Sequence, residues 1–461
     1  MFELLFLLLP LAAAYGFYMG RNSFKNNHAR SKTDRTNKYL HGVDFLINNN
    51  KEKAMDEFIA YLDSEHPTFE STLALGNLFR QRGEVDRAIS LHTSLAHNEN
   101  IEPFESELAQ IELACDFMSA GLLDRAEELL RHIAEIPQQR ARAVSLLVKL
   151  YEQERDFKQA IAVGLDNKDV LTAEMLNNIS HYYCELSQQA LVTSNFKEAK
   201  SNLHEALELC PSSVRARLLL AELLLKEQQE KSTGVSAATI ASAAAQTTAQ
   251  AHAVQTPLSL ETNSEGAVSR QANSAGLTQS AMLTAAQVAA SSANALAVDP
   301  KVQRQVLKLC AEISTLDARS GVFCLELLKK CFVNKADPHY RQALTELLSK
   351  THSAQVTVEL GMNIAQYSSR ADAEFMLLAA IKERPNIKLF SSYMGLRALD
   401  LHHDQESEVI LQLKSIVDAQ IARTNHYHCS QCGFDSSMMF WQCPSCRHWD
   451  SMRPQQSLDG D

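Results

Sequence analysis

The sequence predicts an all-α protein with a single N-terminal transmembrane helix, a long array of paired helices, and a small C-terminal domain built around a metal ion. Three observations predict this. Residues 4–20 carry no charge, small and aromatic residues recur every 34 positions, and Cys429, Cys432, Cys443 and Cys446 form two CxxC pairs ten residues apart.

Composition sets the outer bounds. The chain has 461 residues, 45% of them apolar, enough for several domains or one long array with a proper core. Its net charge of -11 argues against nucleic acid as a main ligand, because phosphate binding needs a strongly basic surface. Six of the ten cysteines, Cys115, Cys184, Cys210, Cys310, Cys324 and Cys331, stand singly in apolar helical patterns. They read as small core residues in a reducing compartment rather than as a disulfide framework.

From Leu4 to Gly20 the chain runs seventeen residues without a charge, close to the roughly 20 needed to cross a bilayer core. Ala12 to Ala14 imitate a signal-peptidase site, but a signal peptide opens on a basic region, and here the only charge before the apolar run is Glu3. Basic residues follow instead, at Arg21, Lys25, Arg30, Lys32 and Arg35. By the positive-inside rule they leave the remainder of the chain in the cytoplasm, as a single-pass membrane protein.

The middle of the chain repeats. Gly42 and Gly76, Phe45 and Phe79, and Ala54 and Ala88 are each 34 apart. Phe117 and Tyr151, and Ala126 and Ala160, keep the same distance after a slip of four. A small residue and an aromatic on one helix, with alanine on the next, resembles the tetratricopeptide repeat, in which small residues let antiparallel helices approach closely. ALELCP ends at Pro211 and the next such phrase, ALAVDP, ends at Pro300, 89 residues later. The excess of about 55 residues over one period falls on a Ser, Thr, Ala and Gln tract that cannot bury enough apolar surface to order itself. After Pro300 apolar residues still recur three and four apart, with DP at 337–338 and RP at 384–385 marking further unit ends. Eight or nine stacked pairs would form a solenoid with a concave protein-binding face.

In the C-terminal block, two residues between cysteines let both thiolates of a turn reach one ion, and two such turns complete a tetrahedron. Gly433 sits where the first turn wants positive φ, and Pro444 stiffens the second. The pattern resembles both zinc ribbons and rubredoxin, so the expected cofactor is one tetrathiolate metal ion, iron or zinc, held by Cys429, Cys432, Cys443 and Cys446. His426, His428 and His448 are alternative ligands nearby. Four protein ligands close the shell and leave no metal-bound water for hydrolysis. Phe434, Met438, Met439, Phe440, Trp441 and Trp449 exceed what so small a knot can bury, and are expected to dock it on the last helices of the array, capping it. No GxGxxG, GxxxxGK[ST], GxSxG or HExxH motif occurs, and adjacent His402 and His403 point to different sides of a helix, so no catalytic residues are assigned.

The N-terminal FELLFLLLPLAAAYGFYMGR, LGNLFRQRGEVDRAI (75–89), AGLLDRAEELL (120–130), HYYCEL (181–186) and YHCSQCGFDSSMMFWQCPSCRHWDSMRP together resemble the lipopolysaccharide assembly protein B family of Gram-negative bacteria. The insertion departs from that family's pattern. The resemblance implies a non-enzymatic regulator of lipopolysaccharide biosynthesis that helps the membrane protease FtsH degrade the lipid A pathway deacetylase and answers to a lipopolysaccharide-sensing inner-membrane protein. It also implies metal ligation by the same four cysteines. The organisation expected is a transmembrane anchor at 1–20, a basic linker at 21–35, tetratricopeptide repeats at 36–228, a disordered insertion at 229–278, tetratricopeptide-like repeats at 279–423 and a rubredoxin-like domain at 424–461. A homodimer is left open. Two other classes compete: a rubredoxin-type electron carrier, and a nucleic-acid-binding zinc ribbon supported only by Arg423, Arg447 and Arg453. A general membrane scaffold is the further alternative.

Overall fold

The computed structural model describes residues 15–19, 41, 44–45, 51–62, 68–231, 298–400, 405–455, 457–458 and 460. Most of the expected anchor, the basic linker, Gly42, the insertion expected at 229–278 from residue 232 on, residues 279–297 at the start of the second block of repeats, and His402 with His403 lie outside them. Among the described residues no helix is long and apolar enough to cross a membrane; residues 15–19 are helical and exposed.

The chain divides into two compact units, residues 1–172 and 173–461. In the first, helices alternate in antiparallel pairs: α1 (Lys51–Leu62), α2 (Phe69–Arg82), α3 (Val85–Ala96), α4 (Pro103–Ala120), α5 (Leu123–Ala134), α6 (Arg140–Glu154) and α7 (Phe157–Asp166). The residues that carried the period are those the packing needs. Ala54, Ala88, Ala126 and Ala160 are fully buried, and Phe79 and Tyr151 are 3% exposed. Gly76 on α2 is where α3 comes closest: a Cβ there would stand 2.4 Å from the His92 Nε2 atom, so only glycine admits the buried imidazole. The slip of four in the period has a simple form. α2 has 14 residues and α4 has 18, one additional helical turn, opened by a capping box between Glu102 and Glu105.

This unit also buries an ionic network. His92 Nδ1 lies 2.6 Å from Asp116 Oδ2, and Arg80 donates to Asp116 Oδ1 at 2.8 Å, to Glu112 Oε2 at 2.6 Å and to Asn77 Oδ1 at 2.7 Å. Arg142 completes the set by pairing with Glu112. Burial alone would raise the Glu112 carboxyl, but Arg80 and Arg142 hold it below its ordinary value. The network ties α2, α3, α4 and α6 into one register.

The second unit holds α8 (Ala173–Val192), α9 (Phe196–Leu209), α10 (residues 214–231), α11 (Pro300–Leu316), a 3-10 turn (Ser320–Phe323), α12 (Cys324–Cys331), α13 (Pro338–Thr351), α14 (Ala354–Tyr367), α15 (Arg370–Glu383), α16 (Ile387–Asp400) and α17 (Gln405–Arg423). Disorder from residue 229 is corrected here, because α10 continues to 231, where Lys231 closes on Glu227 one turn back. Pro300 and Pro338, taken from the sequence as unit ends, are the first residues of α11 and α13, behind the N-caps Asp299 and Asp337. Proline suits that place because the first helical N–H needs no acceptor. Of the six scattered cysteines, Cys184, Cys310, Cys324 and Cys331 are buried, Cys115 and Cys210 partly so, and all are free thiols.

Candidate metal centre and its seat

Three short strands, β1 (Tyr427–Cys429), β2 (Asp435–Ser436) and β3 (Met452–Pro454), form an antiparallel sheet in the order β2-β1-β3. Each CxxC pair closes a turn with the same backbone bond. The Gly433 N–H donates to the Cys429 carbonyl at 3.0 Å, and the Arg447 N–H to the Cys443 carbonyl at 2.8 Å. The residue after each turn must enter the left-handed region, with φ of 78° at Gly433 and 58° at Arg447. Glycine does so freely and arginine under mild strain.

The two turns face each other so that all four Sγ atoms lie within 4.8 Å of one another. Cys429 and Cys446 are 3.6 Å apart, Cys432 and Cys443 3.7 Å. A tetrahedron with metal–sulfur bonds of about 2.3 Å has edges of about 3.8 Å, so the cluster has the dimensions of a four-thiolate metal cage. The chemistry agrees. Burial would raise the Cys429 thiol, yet the Ser451 hydroxyl and the N–H groups of Gln431 and Cys432 bring it down to about 6, favouring the thiolate that metals bind. Cys446 goes the other way: the His448 N–H pulls it down, but burial and the three neighbouring thiols push it up to about 12, so the closely set sulfurs shed their remaining protons only to a cation. Among the described residues this is the only such group. The three histidines considered as alternative ligands are not part of it: His428 Nδ1 pairs with Asp435 at 2.8 Å and His448 Nδ1 with the Cys446 carbonyl at 3.1 Å. With four cysteine sulfurs available, one metal ion fits and no position remains for substrate.

The knot sits against the repeats, but elsewhere than expected. Its two tryptophans lie not on the last helices but on α8, α10 and the turn after α11. Trp449 stacks on His181 with centroids 4.8 Å apart and meets Tyr182 edge-on at 6.1 Å. Asp450 accepts from His181 Nε2 at 2.8 Å and from Asn177 at 3.1 Å. Burial would raise the Asp450 carboxyl, but those two bonds hold it below the usual carboxylate range. Arg215, 3% exposed, lies 5.5 Å from the Trp449 ring and 6.0 Å from Trp441 while donating to Glu185 at 2.6 Å and Gln188 at 3.1 Å. Its Nε and Nη1 find no hydrogen-bond acceptor among the described residues; the two indole faces take that part, a cation–π contact strengthened by desolvation. Phe323 adds rings against Tyr427 and Trp441, and Arg453 reaches Asp317 at 2.8 Å. Further along, the tail returns to α16, where Ile387 N–H donates to the Leu458 carbonyl at 2.9 Å.

The six apolar residues of the knot therefore divide. Phe434, Met439 and Phe440 pack internally around Cys429, Cys443 and Met452, Met438 is 63% exposed, and Trp441 and Trp449 dock. The receiving residues, His181, Arg215 and Asn177, were not singled out in the sequence. The usable signal was a histidine and an arginine placed on otherwise apolar helical faces. Replacing Trp449 with alanine is expected to weaken docking by about 2 kcal/mol or more, roughly thirtyfold. The knot itself should stay folded, since Trp449 is outside its internal cluster. Hydrogen exchange at residues 177–182 checks this, rising while protection within β1–β3 is kept.

Helix pairs with alanine and glycine at their crossings, joined to a four-cysteine knot, define a tetratricopeptide repeat protein with a C-terminal rubredoxin-like metal-binding module. Residues 71–100 match the tetratricopeptide repeat family, and residues 427–454 match the rubredoxin metal binding domain family. The chain is similar along its length to proteins named lipopolysaccharide assembly protein B: it is 28% identical to that of Haemophilus influenzae over 98% of both chains, and 26% identical to that of Escherichia coli K12 over 100% of both. A solved tetratricopeptide repeat protein from Cytophaga hutchinsonii is similar over 66% of this chain and 99% of its own, at 11% identity and a TM-score of 0.31.

Proposed function

We propose that this chain is a non-enzymatic adaptor of the inner membrane that restrains lipopolysaccharide synthesis. Residues 4–20 anchor it, the soluble part faces the cytoplasm, and the repeat array binds the deacetylase of the lipid A pathway and presents it to the protease FtsH. A lipopolysaccharide-sensing inner-membrane protein sets its activity. The observation that carries this reading is similarity along the whole chain to proteins named for lipopolysaccharide assembly. A four-thiolate knot closed to substrate supports an adaptor over an enzyme. Cys429, Cys432, Cys443 and Cys446 would hold one zinc or iron ion, which supplies a cross-link between the two turns. Anchoring turns the meeting of a soluble enzyme with a membrane protease into a local search at raised effective concentration.

The test is depletion of the protein in its host, with the lifetime of the deacetylase followed after translation is blocked. The lifetime is expected to lengthen several-fold, with rescue by the intact gene and none by the Cys429→Ser/Cys432→Ser variant. An unchanged lifetime overturns the proteolytic role and leaves a general membrane scaffold.

A further inference from the structure

The last helix of the array has one face on protein and one in water. α17 rests on α16 through Asp418, which accepts from the Ser391 hydroxyl and pairs with Lys414 one turn back on its own helix, and through Ser407, which donates to the Ala398 carbonyl at 3.0 Å. On a flanking face, about 120° round the helix at 3.6 residues per turn, Glu406, Val409, Leu413, Ile416, Gln420 and Arg423 are all exposed, Val409 by 53%, Leu413 by 51% and Ile416 by 66%, while Leu411, 50% exposed, stands alone on the other flank. A terminal repeat ordinarily turns a polar face outward. Nor does the knot serve as cover, since it docks on α8 and α10. The six residues are spaced 3, 4, 3, 4 and 3 apart, which is the narrow seam of a two-stranded coiled coil and not the broad stripe of a helix laid on a core.

We propose that this seam is a self-association surface on which α17 of a second copy packs antiparallel. The seam itself names its occupant. With a two-fold axis between Lys414 and Ser415, Leu413 meets Ile416 of the partner subunit, Val409 meets Gln420 of the partner subunit, and Glu406 meets Arg423 of the partner subunit. Every position finds its mate in one register, apolar layers at the centre and opposite charges at both ends. This is the self-complementarity an isologous contact requires. A parallel pair would set Glu406 against itself and Arg423 against itself, like charges at both ends of the seam. A helix of 19 residues is about 28 Å long, so the contact is short and reversible. Two copies anchored in one membrane meet at an effective concentration that favours it.

Sedimentation of the full chain in detergent, over a wide concentration range, tests this. A monomer–dimer equilibrium is expected, and Leu413→Glu with Ile416→Glu should abolish the dimer with helical content unchanged, because both side chains are exposed. Glu406→Arg alone and Arg423→Glu alone should each raise the dissociation constant about tenfold, and the two together should restore it. A chain that stays monomeric throughout, or a dimer indifferent to Leu413→Glu/Ile416→Glu, overturns the proposal. So does a double charge exchange that fails to restore association, and so does capture of the seam by another protein while this chain remains monomeric.

Discussion

Changing Cys429 and Cys432 to serine, or stripping with a chelator a metal held there, is expected to unfold residues 424–455 and leave the helices standing. The reason is size. The strands are two or three residues long, and the hydrophobic cluster of the knot has only Cys429, Cys443 and Met452 as its buried members. So small a core cannot offset the entropy of ordering the segment. Metal binding to four thiolates contributes about 10–16 kcal/mol in comparable small modules, so its loss exceeds anything the sheet can supply. Since Trp449 and Asp450 reach His181 only when the second turn is formed, docking is lost in the same step. Amide exchange checks both halves, with protection at β1–β3 collapsing and that of α13 and α14 kept. Survival of the three strands in chelator would show that the knot does not depend on a metal.

Replacing Arg80 with methionine destabilises the first unit by about 3–5 kcal/mol, the range found when one partner of a buried ion pair is removed. The side chains left behind explain the size: Asp116 is fully buried and Glu112 7% exposed, and neither can recover the lost bonds from water. Adding Glu112→Gln and Asp116→Asn should recover part of the loss by removing the stranded charges. The pH dependence gives a second reading. Because Arg80 and Arg142 hold the Glu112 carboxyl below 4.5, its contribution is present above the ordinary carboxylate range and fades as pH falls through the lowered value. The wild-type chain should therefore lose stability in acid more steeply than the Arg80→Met variant. Denaturation midpoints between pH 3 and 7, roughly the span over which carboxylates titrate, decide this; parallel curves would count against the network.

What could be read ahead of the structure was local. Ala126 and Ala160 announce a helix crossing because only a small side chain tolerates one, and the four cysteines announce a cage because two-residue spacing aims both sulfurs inward. The network around Arg80 was missed although Glu112 and Asp116 stand one turn apart within the apolar run IELACDF. That placement signals a buried charge pair, but its partners come from α2, α3 and α6. The docking site was misplaced for the same reason. His181 and Asp450 are 269 residues apart, and no periodicity relates them. Apolar surplus showed that the knot must rest on something; the choice of α8 over the final helices rests on the complementarity of Trp449 with His181 and Arg215.

The chain has two tryptophans, and both lie in this joint, their rings 6.0 and 5.5 Å from the Arg215 guanidinium. The intrinsic fluorescence of the protein is therefore a built-in gauge of a single contact. A cation and an imidazole against the indoles should quench them while the knot is seated, and release should brighten and red-shift the emission. Seating and unseating can then be timed by stopped flow in the unlabelled wild-type chain, with the long helical remainder optically silent in that channel.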